Sequence, residues 1–470
     1  MTRTTTTAEQ LEGNLRRFII FRLFYSARFY YPVFTVLFLD YGLTLEQFSI
    51  LNLVWALTIV LAEVPSGALA DIVGRKRLVV FAAGLMVIEM SLLVFAPIGA
   101  SSLLFLLFLA NRICSGLSEA AASGADEALA YDSLKALGRE ADWSKLLERT
   151  TQVVSVGFFL TMILGAFSYD PNVVNGLIAA LNPQWQFSDE LIIRLPVILT
   201  LITSIILLIN TLGFHDVDFT SEQSDKGEET QKVSLLEPFR KILVAGKWTI
   251  NHRFVLFVIL AALALDSVGR QFAVLASEYY RVIDIPVSWF GFIGAGMSLV
   301  SMANARFSNY LVTNHSPYFN FMTLSAILMI GLLGLCLHIP LYGVVFAIGA
   351  FAMMGMVQFQ TSYYINKEVD SAHRATVLSF KGLALNLGLG FASLLYTAYV
   401  ALLRAQLESP LQSEATGAIS ANGAAADVLR ESIFTEALLG FPVYFLFLFI
   451  LLLLLGRWLI RDRSVLFKKR

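Results

Sequence analysis

Charged residues are scarce in this sequence. Only 15% of its 470 residues are Asp, Glu, Lys or Arg, whereas a soluble domain carries about a quarter. This shortage excludes an ordinary soluble protein of the same size. The formal net charge is −1, so no overall positive field favours a nucleic acid as a partner.

Residues that build metal centres and covalent catalysts are also few. The two cysteines, Cys114 and Cys336, fall in apolar stretches and predict neither a disulfide framework nor a metal site. The five histidines form no cluster. The sequence has no Gly-x-x-x-x-Gly-Lys-Ser/Thr loop, which argues against a nucleotide-driven pump. We therefore expect no enzyme activity, no cofactor and no metal site.

Long apolar runs dominate the chain instead. Apolar residues make up 57% of it, and the mean hydropathy is +0.70. Runs of roughly 20 residues recur, and each is long enough to cross about 30 Å of hydrocarbon. The pattern predicts an all-α membrane protein with twelve transmembrane helices in two pseudo-symmetric six-helix bundles. The predicted spans cover residues 18–39, 48–70, 78–98, 103–125, 152–169, 191–212, 254–276, 288–311, 319–339, 341–365, 376–402 and 437–460.

A long polar segment separates the first six spans from the last six. We predict an N-terminal bundle over residues 1–213, a cytoplasmic linker over residues 214–253 and a C-terminal bundle over residues 254–470. From Leu235 onward the linker repeats apolar residues at helical spacing, with basic residues between them. This spacing predicts an amphipathic helix at the membrane surface.

The distribution of basic residues predicts the orientation of the chain. If both termini lie on one side of the membrane, the opposite side holds only Arg281, Arg404 and Arg430. Cytoplasmic loops carry the excess of Lys and Arg in membrane proteins. We therefore expect a multi-pass protein of the cytoplasmic (inner) membrane with both termini in the cytoplasm. We expect it to act as a monomer in the lipid bilayer.

A short charged segment joins the second and third spans. Gly67, Asp71, Gly74, Arg75 and Lys76 stand there in the order Gly-x-x-x-Asp-x-x-Gly-Arg-Lys. This order resembles the loop between helices two and three of the major facilitator superfamily. Its position between spans two and three of twelve makes the match specific. The resemblance implies a secondary transporter with a central cavity between two helical bundles.

Two further segments are similar to the same superfamily. The run from Arg112 to Gly116 in the fourth span resembles its Arg-x-x-x-Gly element. The run from Asn366 to Ser379 resembles its connection between helices ten and eleven. The resemblance therefore extends into both halves of the chain.

The resemblance also implies a gate at the cytoplasmic ends of the helices. Asp71 would contact the positive end of the eleventh helix, where a carboxylate is favoured. Arg75 would pair with an acid near the end of the fourth helix, either Asp126 or Asp132. We assign Glu63, which precedes a proline inside the second span, to the same gate. The expected gate residues are Glu63, Gly67, Asp71, Gly74, Arg75, Asp126, Asp132 and Arg374.

Ionisable groups inside the first and fourth spans are candidates for a cavity, because each costs at least about 2.5 kcal/mol at mid-depth in a bilayer. Arg28, Tyr31 and Thr35 follow helical spacing and predict one polar stripe. Arg112 and Glu119 share a face of the fourth span. Arg28 either binds an anionic group or belongs to an internal ion pair. Glu119 is either a proton or substrate site or one partner of a static pair.

The seventh and tenth spans carry the remaining candidates. Asp266 and Arg270 are spaced i, i+4 and can pair within their own helix, which favours a structural role. Gln358 lies in the tenth span. The resemblance places spans one, four, seven and ten around the cavity. The expected cavity residues are Arg28, Tyr31, Arg112, Glu119, Asp266, Arg270 and Gln358.

These features predict a secondary active transporter that moves a small organic solute by alternating access. Acids in the second, third and fourth spans favour proton coupling. The arginines inside the spans favour an anionic or zwitterionic substrate. Three alternatives stay open: a lipid flippase on the same scaffold, a facilitator without proton coupling, and a transporter-like receptor that binds without transporting.

Overall fold

The computed structural model describes residues 7–216, 237–369, 371–414 and 423–459. Most of these residues are helical. Short 3-10 turns lie at Tyr31–Val33 and Glu140–Asp142. The helices are α1 (Ala8–Ser26), α2 (Phe34–Asp40), α3 (Leu45–Val73), α4 (Arg75–Val94), α5 (Ser102–Ala122), α6 (Ala125–Ala136), α7 (Trp143–Tyr169), α8 (Pro171–Leu181), α9 (Asp189–Leu212), α10 (Glu237–Asn251), α11 (Arg253–Val282), α12 (Val287–Asn314), α13 (Pro317–Leu335), α14 (Val344–Glu368), α15 (Ser371–Glu414) and α16 (Gly423–Leu459).

Ten helical segments among the described residues are long and apolar enough to cross a membrane. The first predicted span corresponds to α1 and α2 together, and the eighth corresponds to α12, which contributes a shorter apolar stretch at Val287–Met297. The helices therefore follow the order of the twelve predicted spans.

The sequence predicted one continuous helix for the first span, but the structure contains two helices there. Residues 27–30 are not helical, and they separate α1 from α2. Pro32 explains the break, because proline donates no backbone hydrogen bond and disfavours helical geometry at the residue before it. The predicted stripe of Arg28, Tyr31 and Thr35 along one helix face is therefore wrong.

Contacts from two other helices hold this broken segment. The Phe29 N–H group donates to Thr200 Oγ1 of α9 at 3.0 Å. The backbone of α7 approaches so closely that a Cβ atom added at Gly165 would lie 1.9 Å from the carbonyl oxygen of Phe29. Only glycine fits at that point of α7.

The charged connection between the second and third spans is shorter than predicted. Helix α3 continues to Val73 and α4 begins at Arg75, so Gly74 alone makes the turn. Its φ angle of +101° lies in the region that favours glycine. The carboxylate of Asp216 accepts a hydrogen bond from the Lys76 N–H group at 3.2 Å, which stabilises the N-terminal end of α4.

The packing divides the chain into two compact units. The first contains Met1–Pro32, Thr58–Ile98 and Ser102–Lys241, and the second contains Val33–Leu57, Gly99–Ser101 and Ile242–Arg470. In the first unit, α4 packs against α5 and α9, and α1 packs against α6, α7 and α9. In the second unit, α11 packs against α2, α14, α15 and α16. The predicted boundaries of the two bundles and the linker stay a prediction.

The predicted linker contains one described helix, α10, over Glu237–Asn251. It coincides with the stretch for which the sequence predicts an amphipathic helix. Residues 217–236 of the predicted linker lie outside the described residues, as do residues 460–470.

We predict that Gly165→Ala destabilises the protein, because the added methyl group collides with the Phe29 backbone, which cannot rotate away. Overpacking of this kind costs roughly 1–3 kcal/mol. The thermal unfolding midpoint of the detergent-purified protein is the measurement. Gly84→Ala in α4 is the control, since nothing lies within 4 Å of its added Cβ atom. Equal midpoints for the two variants would contradict the close approach.

Candidate functional site

The break in the first span places Arg28 in the interior of the first unit. Its guanidinium group forms an ion pair with Glu89 of α4 and donates a second hydrogen bond to the Tyr30 hydroxyl at 3.3 Å. The side chains of Arg28 and Glu89 are only 3% and 0% exposed. This pair is the centre of a first polar cluster, which we define as Tyr25, Arg28, Tyr30, Glu89 and Arg112.

Aromatic rings surround the guanidinium group of Arg28. Its Cζ atom lies 5.5 Å from the ring centre of Tyr25 and 5.9 Å from that of Tyr31. A cation at these distances is attracted to the ring faces. The predicted cavity residues Arg28 and Tyr31 are therefore neighbours, although not through the regular helix that the sequence predicted.

The two predicted residues of the fourth span lie in different surroundings. Arg112 is buried, and the charges of Arg28 and Glu89 and the hydroxyl of Tyr30 act on it. Glu119 is exposed and accepts a hydrogen bond from the Tyr25 hydroxyl at 3.4 Å. Tyr25 therefore links the buried cluster to the exposed carboxylate.

The first polar cluster holds two guanidinium groups and one carboxylate. Glu89 Oε1 pairs with Arg28, whereas Glu89 Oε2 is buried with no hydrogen-bond partner among the described residues. Charges in such a place are costly unless each is paired and hydrogen-bonded. The Arg28–Glu89 pair meets the first of these requirements, and the second oxygen of Glu89 does not meet the other among the described residues.

The second unit contains a second polar cluster, which we define as Asp266, Arg270, Gln358, Lys381 and Asn386. Arg270 donates to Asp266 Oδ2 at 2.5 Å and to Asn386 Oδ1 at 3.1 Å. Gln358 donates to Asp266 Oδ1 at 3.2 Å and accepts from Lys381 Nζ at 3.4 Å. Both oxygens of the buried Asp266 carboxylate are therefore hydrogen-bonded.

Sequence reasoning placed Asp266, Arg270 and Gln358 in the cavity and missed the other two members of this cluster. Lys381 lies close to the predicted cytoplasmic end of its span, where a lysine can extend to water, and this position concealed its contact with Gln358. Asn386 carries no pattern in the sequence that points to Arg270. The Lys381 contact joins two consecutive helices, and the Asn386 contact joins residues 116 positions apart along the chain.

The second unit also contains an arginine–acid cluster, which we define as Asp40, Glu278, Arg281 and Arg430. Arg281 pairs with Asp40 at 2.6 Å and also with Glu278, and Arg430 Nε lies 3.5 Å from Glu278 Oε1. No group of three or more His, Cys, Asp or Glu side chains in the described ranges is placed to hold a metal ion. The cluster is an ion-pair network.

A separate ion pair joins Glu46 of α3 to Arg404 of α15. Arg404 Nε and Nη2 donate to the two Glu46 oxygens at 2.6 and 3.0 Å, in a bidentate arrangement. In the sequence, Arg281, Arg404 and Arg430 predicted only the orientation of the chain, and their partners were not predicted. The i, i+3 spacing of Glu278 and Arg281 was the one available signal.

The predicted gate residues separate into two ion pairs in the first unit. Arg75 pairs with Asp132 and donates to the Ala128 carbonyl at 3.0 Å. Asp126 instead pairs with Arg22 at 3.2 Å. Of the two acids that the resemblance left open for Arg75, Asp132 is therefore the partner.

The remaining gate residues are described less completely. Glu63 is half-buried, and its backbone carbonyl accepts from the Ser66 hydroxyl at 2.8 Å. Gly74 forms the turn between α3 and α4. Gly67, Asp71 and Arg374 lie on helices, but their side chains are outside the described residues.

The sequence profile of the Major Facilitator Superfamily matches residues 18–393. The chain belongs to this superfamily. Its members are transporters, so the chain is a membrane transporter and not an enzyme. A sequence search of curated proteins found no match.

Solved structures with the same fold include several transporters. A bacterial homologue of the human lysosomal transporter Spinster, in an inward-facing and unoccupied conformation, matches with a TM-score of 0.67 and 14% identity, covering 98% of this chain and 99% of that chain. The nucleoside transporter NupG matches with a TM-score of 0.67 and 13% identity, covering 95% and 98%. A D-xylose–proton symporter matches with a TM-score of 0.54 and 11% identity, covering 92% and 96%. The predicted all-α, twelve-helix membrane fold is confirmed.

We predict that Arg28→Met or Glu89→Met alone lowers the stability of the transporter by roughly 3–5 kcal/mol, because each leaves an uncompensated buried charge. The double variant should lose less than the sum of the two single losses. Unfolding of detergent-purified protein would measure this coupling. The exposed pair Lys145–Asp142 is the control, and its removal should scarcely change stability. Additive losses at Arg28 and Glu89 would contradict a strong pair.

Proposed function

We propose that this transporter is a secondary active carrier of a small anionic or zwitterionic organic solute, that it works by alternating access, and that it is coupled to protons. The observation that carries this proposal is the buried Arg28–Glu89 pair beside the second buried guanidinium group of Arg112.

The first step is recognition of the negative group of the solute. Two guanidinium groups and one carboxylate leave the first polar cluster with an excess positive charge. A carboxylate or phosphate on the solute would balance this charge, and arginine binds such groups through two parallel hydrogen bonds. A neutral solute would offer these guanidinium groups no negative charge to bind.

The second step is exchange of partners at Arg28. When the anionic group of the solute takes the hydrogen bonds of Arg28, Glu89 loses its partner. A buried carboxylate without a partner is disfavoured in its charged form, so Glu89 then takes up a proton. Solute binding and proton binding are linked in this way. One solved structure of the same fold is named as a proton symporter, which agrees with this proposal.

Alternating access requires a closure that can open. Within the second unit, the segment Val33–Leu57 is attached through Asp40–Arg281 and Glu46–Arg404. The Thr35 N–H group also donates a hydrogen bond there, to Ser277 Oγ at 2.9 Å. We assign these contacts to the closure on the outer side, with both termini in the cytoplasm and the protein acting as a monomer in the inner membrane.

We predict that the purified protein is stabilised thermally by anionic or zwitterionic metabolites in a panel that also contains sugars, nucleosides, antibiotics and lipids. The shift of the unfolding midpoint should disappear in Arg112→Leu, because the excess positive charge is lost. The solute so found is then supplied to proteoliposomes with a pH gradient. Uptake should respond to the gradient in the native protein and in Glu119→Gln, but not in Glu89→Gln.

Other results of this experiment would identify the alternatives. Stabilisation by lipids alone would favour a flippase. Stabilisation by neutral sugars alone would contradict the recognition of an anionic group. Uptake that ignores the pH gradient in the native protein would indicate an uncoupled facilitator. Binding without uptake would indicate a receptor. A response to the gradient that survives in Glu89→Gln would show that another acid carries the proton.

We predict that weakening the Glu46–Arg404 pair increases the fraction of time for which the buried position 277 is accessible to reagents from outside the cell. With Cys114 and Cys336 replaced by serine, Ser277→Cys should react slowly with a membrane-impermeant maleimide added outside intact cells. Arg404→Glu should speed this labelling about fivefold, the effect of about 1 kcal/mol. The charge-swapped double variant Glu46→Arg/Arg404→Glu should slow it again. Labelling that stays unchanged would remove this pair from the closure.

A further inference from the structure

The second unit contains a cavity, and its described lining includes no member of the two polar clusters. It has a volume of about 640 Å³ and lies among α11, α15 and α16. This volume is within the range of small-molecule sites in proteins, about 300–1,000 Å³. None of the thirteen described residues that line it is charged. The cavity is therefore distinct in chemistry from both polar clusters.

Two polar side chains line this cavity without complete hydrogen bonding. Gln271 is 2% exposed, and its Oε1 atom accepts from the Ser393 hydroxyl at 2.7 Å, but its Nε2 group has no partner among the described residues. Tyr396 is 6% exposed, and its hydroxyl is likewise unpartnered within the described ranges. A buried donor without an acceptor costs free energy. A molecule in the cavity can supply the acceptor.

Exposed apolar side chains lie at the edge of the cavity. Val443 and Phe447 on α16 line the cavity and are 69% and 62% exposed. On a transmembrane helix, apolar side chains with this exposure contact lipid. A ligand can therefore enter sideways from the membrane, without passing through water.

The depth of the donors excludes a phospholipid head group. Gln271 precedes Arg281 by ten residues and Tyr396 precedes Arg404 by eight, which places them about 15 and 12 Å along their helices from the charged ends. The charged and ester groups of phospholipids stay near the membrane surface. The acceptor must instead belong to a neutral molecule that dissolves in the bilayer interior.

We propose that this cavity is a binding site for a neutral, lipid-soluble carbonyl compound whose oxygen accepts hydrogen bonds from Gln271 Nε2 and the Tyr396 hydroxyl. Aromatic residues on α15 and α16, including Phe441 and Tyr444, pack around the apolar body of the ligand. This site does not depend on the solute that the polar clusters recognise.

Benzophenone is a suitable probe, because it is neutral, carries one carbonyl group and labels nearby C–H bonds on irradiation. In nanodiscs, labelling of the purified transporter should saturate and should map to the peptides around Tyr396 and Phe441. Two kinds of competitor test the role of the carbonyl group. Diphenylmethane, which has the same rings and no carbonyl group, should reduce benzophenone labelling less than acetophenone derivatives of similar size do. Labelling spread evenly over all lipid-facing helices would overturn the site.

The variants test the two donors separately. Tyr396→Phe and Gln271→Leu should each raise the half-saturating benzophenone concentration about fivefold, the effect of one neutral hydrogen bond. Tyr399→Phe is the matched control, since this tyrosine lines the same cavity but is 37% exposed; it should leave half-saturation unchanged. Equal half-saturating concentrations for Tyr396→Phe, Tyr399→Phe and the native protein would overturn the proposed hydrogen bonding. Because Tyr396→Phe is a conservative change, the test stays valid even if Gln271→Leu folds poorly.

Discussion

Hydrocarbon offers no hydrogen-bond partner, and this constraint decides where the chain can depart from a regular helix or carry a charge. The first span departs from a helix at residues 27–30, and it does so inside the packed first unit. Thr200 satisfies the Phe29 N–H group there, and the bare backbone at Gly165 allows α7 to pack against the same residue. Non-helical backbone at membrane depth is stable only when surrounding protein replaces water in this way.

The break has a chemical consequence. Within a regular helix, Arg28 would share a face with Tyr31 and Thr35, and its side chain would lie beside the next turn of the same helix. The break instead separates Arg28 from Thr35, so Arg28 lies against Glu89 and Tyr30 while Thr35 belongs to the second unit. A proline in the sequence thus determines which helix provides the counter-charge of a buried arginine.

Local patterns could be predicted from the sequence, and distant contacts could not. Hydropathy located the spans because the length of an apolar run is a property of consecutive residues. The i, i+4 spacing of Asp266 and Arg270 likewise predicted a pair that the structure contains. By contrast, Asp40, Glu46 and Gln358 stand on other helices than their partners Arg281, Arg404 and Lys381. One sequence contains no record of which helices pack together, so these contacts were missed, and the break at Pro32 was overlooked because the apolar run continues across it.

The two polar clusters differ in how completely their carboxylates are satisfied, and this difference separates a structural pair from an exchangeable one. Asp266 accepts hydrogen bonds at both oxygens, from Arg270 and Gln358, so a proton there would displace an existing donor. Glu89 has one oxygen paired with Arg28 and the other unpartnered among the described residues. Among the described residues, the Arg28 guanidinium group donates to the Glu89 carboxylate, and Arg28 is the group that we propose for binding an anionic solute. Of the carboxylates in the two polar clusters, Glu89 is therefore the one that we propose to link the binding of a solute to the binding of a proton.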